Sequence, residues 1–345
     1  MGDDLQSIAR KMVAPGKGIL AADESSGTIK KRFDKIGTES TEEMRRFYRE
    51  LLFTTSGIGQ YLSGVILYDE TIRQAALPAQ AGAEGKPFPK VLEEQGIIPG
   101  IKVDMKTYPL AGSPEEQVTD GLDGLRDRLK AYYELGARFT KWRAVITIDE
   151  TKSLPTDYCI HVNAHALARY AALSQEVGMV PIVEPEVLMD GGHSIEACYE
   201  VTKRTLARVF AELKMQRIAL DGMILKPNMV IDGTKHEPKS SPRQIAALTL
   251  RCFQETVTAT VPGIVFLSGG QSEAEACVNL NAINTTGQSV PWELSFSYGR
   301  ALQDSTLKAW GGKLENKEAA QQVFLRRCKL TSAARAGIYR TEMEQ

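Results

Sequence analysis

The chain has 345 residues, of which 43% are hydrophobic and 25% are charged, the profile of an ordinary globular protein. Its 42 lysines and arginines nearly balance its 43 aspartates and glutamates, and the net charge of -1 argues against nucleic acid or an anionic membrane as a partner. No apolar run reaches the roughly 18–20 residues of a membrane span, and the five scattered cysteines fit free thiols better than a disulfide framework or a structural zinc site.

Short apolar runs alternate along the chain with longer amphipathic stretches, and each run predicts a strand. In chain order the runs are GILAAD (18–23), GVILYD (64–69), IPGIKVD (98–104), ARFTKWRAV (137–145), MVPIVEPEV (179–187), GMILKPNMV (222–230), GIVFLSGG (263–270) and WELSFSYG (292–299). Helical spacing predicts helices at 41–57, 114–135, 158–176, 194–214, 242–260 and 271–284. The segment 69–98, which holds Pro78, Pro87 and Pro89, is expected to be mostly loop.

This alternation predicts the fold class: an α/β protein with a closed (β/α)8 TIM barrel. An open doubly wound sheet would predict a glycine-rich nucleotide turn after the first strand, and the ESSGT run at 24–28 matches neither nucleotide motif. We expect one domain over 1–345, with an N-terminal extension (1–17) and a C-terminal helical tail (about 312–345). The polar start lacks the apolar core of a secretory signal, which favours the cytoplasm, with a processed organellar form as the alternative.

Ionisable side chains interrupt five of the eight predicted strands, although strands covered on both faces should be continuously apolar. All lie toward the C-terminal ends, which converge on the active-site mouth of a barrel. Burying so many charges costs several kcal/mol each unless they are paired or used, so we interpret the set as functional rather than as a rim of salt bridges. The set is Asp23, Lys102, Asp104, Lys141, Arg143, Glu184, Glu186 and Lys226, with Arg300 directly after the eighth strand.

Lys226 is the candidate nucleophile. It ends the apolar run 223–225 and precedes Pro227. A lysine crowded by other cations loses its proton more readily and then attacks carbonyl groups. The proton transfers of imine formation would fall to Glu184 or Glu186. The alternative, a lysine that extends to the solvent, does not account for these charged neighbours.

Two glycine-containing turns predict anion binding. The first, LSGGQ (267–271), leaves the seventh strand and enters a helical stretch, so that its backbone N–H groups suit a phosphate. The second, SYGR (297–300), follows the eighth strand, and Arg300 can donate two parallel hydrogen bonds to phosphate oxygens. Barrels often bind a phosphate after strands seven and eight.

Other patterns in the sequence are weaker indications of function. His161 and His165 have the i, i+4 spacing of a zinc pair, but the glutamate of H-E-x-x-H is absent, and His193 and His236 fall in polar segments, so no metal site is predicted. Trp142 is expected to pack in the core. The charged residues of 41–50 are read as the solvated face of a helix, and no G-x-S-x-G elbow supports hydrolase chemistry.

Several blocks, in order and over nearly the whole chain, closely resemble class I fructose-1,6-bisphosphate aldolases. They are GILAADES (18–25), KRFDKIGTESTEEMRRFYRELL (31–52), GIKVD (100–104), KWR (141–143), PIVEPE (181–186), LKPNMV (225–230), FLSGGQSE (266–273) and FSYGRALQ (296–303). The resemblance implies reversible cleavage of fructose 1,6-bisphosphate to dihydroxyacetone phosphate and glyceraldehyde 3-phosphate, in glycolysis and gluconeogenesis. It also implies a homotetramer, with no metal and no other cofactor, because an iminium takes up the electrons.

The resemblance further implies a role for each matching residue. Lys226 would form the Schiff base, and Glu184 would donate and accept the protons of imine formation and hydrolysis. Glu186 and Lys141 would tune the charge of Glu184 and of the carbinolamine. Asp23 would orient or deprotonate the hydroxyl whose proton loss drives cleavage. The phosphate on C1 would be held by Ser268, Gly269, Gly270, Gly299 and Arg300, and that on C6 by Ser25, Thr28, Lys31, Arg32 and Lys102. Arg143, Leu267 and Ser297 complete the candidate substrate-binding set.

Two departures from the family pattern stand out. Familiar eukaryotic members end in a tail with a final tyrosine implicated in proton exchange at C3, whereas the last tyrosine here is Tyr339, so another group or a product phosphate is expected to handle that proton. Thr28 stands where a serine is usual. The alternatives are a Schiff-base enzyme of the transaldolase or deoxyribose-phosphate aldolase type, activity on sedoheptulose bisphosphate, and a non-catalytic scaffold.

Overall fold

Eight parallel strands close into a barrel, which confirms the predicted (β/α)8 fold. The computed structural model describes residues 4–77 and 85–345, so residues 1–3 of the predicted extension and Pro78 of the predicted loop lie outside the described residues. In chain order the strands are β1 (Gly18–Ala21), β2 (Leu62–Leu67), β3 (Ala75–Ala76), β4 (Lys86–Pro87), β5 (Ile98–Lys102), β6 (Lys106–Leu110), β7 (Ser113–Asp120), β8 (Phe139–Ile146), β9 (Val180–Val187), β10 (Ile224–Leu225), β11 (Gly263–Phe266) and β12 (Glu293–Tyr298). The barrel runs β1-β2-β5-β8-β9-β10-β11-β12 and closes where β12 pairs with β1.

Helices follow the barrel strands and surround them. They are α1 (Leu5–Met12), α2 (Ser26–Asp34), α3 (Glu42–Phe53), α4 (Asp69–Ile72), α5 (Phe88–Glu93), α6 (Leu125–Glu134), α7 (Asp157–Glu176), α8 (Ile195–Met215), α9 (Pro242–Thr256), α10 (Glu273–Asn284), α11 (Arg300–Trp310) and α12 (Lys317–Arg335). Hydroxyl side chains at the N-caps accept a backbone N–H of the first turn in α3, α7, α8, α9 and α10. These caps explain why five of the six predicted helices begin within a few residues of their predicted starts.

Two predictions along the chain are wrong. The segment 114–135 is not one helix, because its first part forms β7, which pairs with β6 in an antiparallel hairpin. Glu116 of this strand is buried and accepts hydrogen bonds from Thr156. Within its described residues (69–77 and 85–98), the second segment is also not mostly loop. It contains α4, α5 and the short β3–β4 ribbon, and Pro87 and Pro89 stand at the start of α5, where proline fits.

The charged start of α3 is also not a solvated face throughout. Tyr48, Arg49 and Glu50 are buried, and Lys317 of α12 donates to Glu50 at 2.8 Å. The helical tail that the sequence predicted is therefore packed against the barrel's outer layer, with α12 in contact with α3, α10 and α11. None of the helices within residues 4–77 and 85–345 combines the length and apolar character that a transmembrane helix requires.

The N-terminal helix α1 plugs the barrel at the N-terminal ends of the strands. Its side chains pack with the apolar residues that fill this half of the barrel interior. This cluster consists of Ile8, Ala9, Met12, Val13, Ile19, Ala21, Ile66, Phe139, Val180, Ile182, Ile224 and Val265. Because this end is filled with apolar side chains, the charged residues are left to the opposite end.

Gly100 makes room for the Phe139 ring inside the barrel. A Cβ atom at position 100 would overlap carbons of that ring. We expect Gly100→Ala to lower the free energy of unfolding by about 1–3 kcal/mol, since overpacking forces neighbouring atoms to move. Gly27→Ala is the matched control, because a Cβ there meets nothing within 4 Å and alanine suits helix α2. Thermal unfolding measures both, and an unchanged melting temperature for Gly100→Ala would contradict the packing argument.

Candidate active site

A cavity of about 230 Å³ opens at the C-terminal ends of the barrel strands. All the predicted site residues line it except Lys31, Asp104 and Gly270, and Ala21 and Glu24 line it in addition. The lining residues are Ala21, Asp23, Glu24, Ser25, Thr28, Arg32, Lys102, Lys141, Arg143, Glu184, Glu186, Lys226, Leu267, Ser268, Gly269, Ser297, Gly299 and Arg300. Parallel strand ends bring these residues together from sequence positions nearly 280 apart, as the barrel prediction required.

Lys141 lies at the centre of a group of carboxylates. Its Nζ is 2.6 Å from Asp23, 3.6 Å from Glu184 and 3.7 Å from Asp104. Burial alone would lower the pKa of Lys141, but these three carboxylates raise it well above its ordinary value. The lysines in turn hold the pKa of the partly buried Asp23 well below its ordinary value, although removal from solvent alone would raise it. At neutral pH Lys141 is therefore an ammonium and Asp23 a carboxylate.

Glu184 joins this group to Lys226. One carboxylate oxygen, Oε1, lies 3.2 Å from the Nζ of Lys226, and the other, Oε2, is the oxygen that faces Lys141. Oε2 is buried and has no hydrogen-bond partner among the described residues. The sequence predicts cations around Lys226, whereas in the structure its nearest charged partner is the carboxylate of Glu184. That carboxylate is within reach of any group bonded to the lysine nitrogen.

Strand register explains why these side chains converge. The backbone N–H of Lys226 donates to the carbonyl of Val183 at 2.8 Å, next to Glu184 on β9. Arg143 of β8 is the register partner of Glu184, and Glu186 follows two residues later on the same strand face. The guanidinium of Arg143 donates to Glu186. Glu186 is thus engaged by a cation, while Glu184 keeps one oxygen without a hydrogen bond.

One end of the cavity is formed by the turns after β11 and β12. Gly269 has φ +56, in the left-handed region, and its carbonyl accepts a hydrogen bond from Arg300. Ser297 is buried, and its hydroxyl has no partner among the described residues. Gly270 does not line the cavity, because its N–H points to the sulfur of Met189 at 2.6 Å. Its contact with a phosphate therefore stays a prediction that this conformation does not test.

The other end is formed by the start of α2 and the end of β5. The hydroxyls of Ser25 and Thr28 lie 3.1 Å apart at the N-terminus of α2, and Lys102 forms an ion pair with Asp104 at 2.5 Å. Lys31 of α2 is exposed and does not line the cavity. Its contact with the C6 phosphate stays a prediction.

Residues 4–345 match the family model described as fructose-bisphosphate aldolase class-I. The chain belongs to the class I fructose-bisphosphate aldolase family. It is 56% identical over 341 residues to a cytosolic fructose-bisphosphate aldolase 4 of Arabidopsis thaliana, covering 99% of this chain and 85% of that protein. It is 54% identical over 336 residues to a probable class 1 aldolase of Xylella fastidiosa, covering 97% and 98%. The fructose-bisphosphate aldolase of Plasmodium falciparum, solved in complex with TRAP and a small-molecule inhibitor, is 50% identical, with a TM-score of 0.94 over 97% of this chain and 95% of that one.

This class I aldolase also contains site residues that the sequence reasoning missed. Glu24 lines the cavity and forms ion pairs with Arg32 at 2.5 Å and with Arg49 at 2.6 Å. Gln303 of α11 donates to the same carboxylate at 3.0 Å. Glu24 directly follows Asp23 in the ADES run, which was the signal available in the sequence. Its partners lie too far along the chain to be recognised by spacing.

The remaining predictions concern residues outside the cavity of the aldolase. Trp142 is buried and stacks on Tyr170, with ring centroids 5.6 Å apart, as predicted. His165 lies 3.0 Å from Glu212, and no group of three potential metal ligands is found within the described part of the chain. The hydroxyl of Tyr339 donates a hydrogen bond to Glu344 at 2.8 Å, and Tyr339 does not line the cavity.

Proposed function

We propose that Lys226 forms the Schiff base through which this class I aldolase reversibly cleaves fructose 1,6-bisphosphate. The products are dihydroxyacetone phosphate and glyceraldehyde 3-phosphate, which places the reaction in glycolysis and gluconeogenesis. The observation that carries the proposal is the buried pair of Lys226 and Glu184, 3.2 Å apart, in a cavity with cationic side chains at both ends. If the two phosphates of a ketose bisphosphate bound at these two cationic ends, the carbonyl of the sugar would lie between them, near Lys226.

Imine formation uses Glu184. The nitrogen of Lys226 bonds to the keto carbon C2, and the proton that the nitrogen loses passes through Glu184 to the carbonyl oxygen, which becomes the hydroxyl of a carbinolamine. Glu184, protonated again from solvent, donates a second proton to that hydroxyl, which leaves as water and leaves an iminium. The ammonium of Lys141, 3.6 Å from Glu184, stabilises its carboxylate between these transfers.

Cleavage then uses Asp23. Its carboxylate accepts the proton of the C4 hydroxyl while the electrons of the C3–C4 bond move to the iminium, which becomes an enamine. The C4 fragment leaves as the aldehyde glyceraldehyde 3-phosphate. Protonation at C3 and hydrolysis of the imine by water release dihydroxyacetone phosphate and free Lys226. Because the iminium takes up the electrons, this route requires no metal and no other cofactor.

Phosphate recognition divides the cavity. We assign the phosphate on C1 to the turns after β11 and β12 and the phosphate on C6 to the N-terminus of α2 with Lys102, since helix N-termini and lysines attract phosphate. The residues for C1 are Ser268, Gly269, Gly299 and Arg300, and those for C6 are Ser25, Thr28, Arg32 and Lys102. Arg143, Leu267 and Ser297 complete the cavity lining around the substrate.

We further propose a cytoplasmic homotetramer built from one domain per chain. The location is supported by the name of the Arabidopsis relative, which is called cytosolic. The tetramer is supported by family resemblance, and light scattering coupled to gel filtration measures it. These proposals are independent of the catalytic one.

The catalytic proposal is tested by borohydride trapping. The enzyme is incubated with fructose 1,6-bisphosphate or dihydroxyacetone phosphate in EDTA, reduced with borohydride and mapped by peptide mass analysis. We expect cleavage activity in EDTA and a reduced adduct on Lys226. Activity abolished by the chelator, with no adduct, would overturn the imine mechanism. Absence of both activity and adduct under all conditions would favour the scaffold alternative.

A further inference from the structure

A buried charge network lies behind the end of the cavity that we assign to the C6 phosphate. Glu24, which follows β1, is 8% exposed and has one oxygen 2.5 Å from Arg32 and the other 2.6 Å from Arg49. Arg32 lines the cavity, whereas Arg49 lies on α3, is 2% exposed and does not line it. Arg49 therefore has no direct contact with a ligand in the cavity.

Glu24 by itself is an obstacle to phosphate binding. Burial would raise the pKa of its carboxyl, but Arg32 and Arg49 hold that pKa below its ordinary value, so Glu24 is an anion. An anion in the lining repels a phosphate and competes with it for the guanidinium of Arg32. With Arg49 present, Glu24, Arg32 and Arg49 carry a net charge of +1. Without Arg49 the net charge is zero, and among the described residues Arg32 is the one ion-pair partner of Glu24 that remains.

Other contacts keep Arg49 in place. Gln303 accepts a hydrogen bond from Arg49 at 3.5 Å and donates to Glu24 at 3.0 Å and to the carbonyl of Ala21 at 2.9 Å. Tyr48 donates to the same Gln303 at 3.2 Å. Side chains of α3 and α11, which lie outside the barrel, thus hold Arg49 against Glu24.

We propose that Arg49 is a positioning residue that sets the preference of the enzyme for substrates with a C6 phosphate. By neutralising Glu24 it leaves the charge of Arg32 available to that phosphate. The inference rests on the proposed function, because it requires Arg32 to lie at the C6-phosphate end. It predicts a defect that depends on whether the substrate carries the second phosphate.

The test compares fructose 1,6-bisphosphate with fructose 1-phosphate, the same ketose without the C6 phosphate. For Arg49→Met we expect kcat/KM to fall about tenfold with the bisphosphate, mainly through KM, and less than about twofold with fructose 1-phosphate. Arg49→Lys keeps the charge and should retain most of the preference. The double variant Glu24→Gln/Arg49→Met restores the net charge of +1 and should recover the preference to within about threefold of the wild type.

The matched control is Arg327→Met. Arg327 is also buried and paired with glutamates, but it lies on α12, away from the cavity, so its loss should affect both substrates equally. Circular dichroism establishes folding, and Arg49→Gln replaces Arg49→Met, with the same expectation, if the latter does not fold. Equal losses on both substrates, or a double variant worse than the single one, would overturn the inference. A wild-type enzyme that cleaves neither substrate would instead refute the proposed function.

Discussion

Replacing Lys226 by methionine is expected to lower kcat for fructose 1,6-bisphosphate cleavage by about 10⁵-fold, since the covalent route depends on one nitrogen. Methionine keeps an unbranched chain of similar length next to the apolar residues of β10, so the fold should survive. Steady-state turnover and borohydride trapping measure the two consequences. We expect no reduced adduct anywhere in this variant.

The control is Lys90→Met. Lys90 is exposed and pairs with Glu93 on α5, so its loss should change neither turnover nor trapping. The contrast separates loss of a specific nucleophile from loss of a lysine in general. The assignment of Lys226 as the nucleophile would be contradicted if the Lys226→Met enzyme formed an adduct at a second lysine and kept turnover near that of the wild type. Lys141 would then be the first residue to replace, because it faces the other oxygen of Glu184.

The barrel and the grouping of charged side chains at its mouth could be predicted because both follow from local sequence rules. Charges at i and i+2 near the end of a strand share one face, which placed Glu184 with Glu186 and Lys141 with Arg143. Closure of the barrel then brings the strand ends together without further information. Lys226 and Glu184 are neighbours because β9 and β10 pair in register.

What the sequence did not reveal depends on contacts between distant segments. Gly270 is turned from the cavity by Met189, which is 81 residues away along the chain. The hairpin strand β7 resembled a helix because its polar residues fit either period, and only pairing with β6 selects the strand. Arg49 looked like a solvated charge because its partner, Glu24, lies 25 residues earlier, at no recognisable spacing.

Glu184 and Glu186 lie two residues apart on one strand face, yet we expect them to differ greatly in their effect on catalysis. Glu184→Gln should lower kcat by about 10³-fold, because an amide neither donates a proton to the carbinolamine hydroxyl nor accepts one from the nitrogen. The rate of adduct formation in rapid-quench borohydride trapping should fall in parallel. Adduct should still accumulate slowly, since Lys226 remains.

Glu186→Gln is the matched comparison. The Glu186 carboxylate is already engaged by Arg143, whereas Glu184 has a buried oxygen with no hydrogen bond and lies between two lysines. The glutamine at 186 still accepts a hydrogen bond from Arg143, so we expect turnover to fall about tenfold at most. If both variants slowed imine formation equally, the proton would be shared between the two glutamates. If only Glu186→Gln slowed it, the proton donor would be Glu186, and Glu184 would serve to hold the side chains of Lys141 and Lys226 in place.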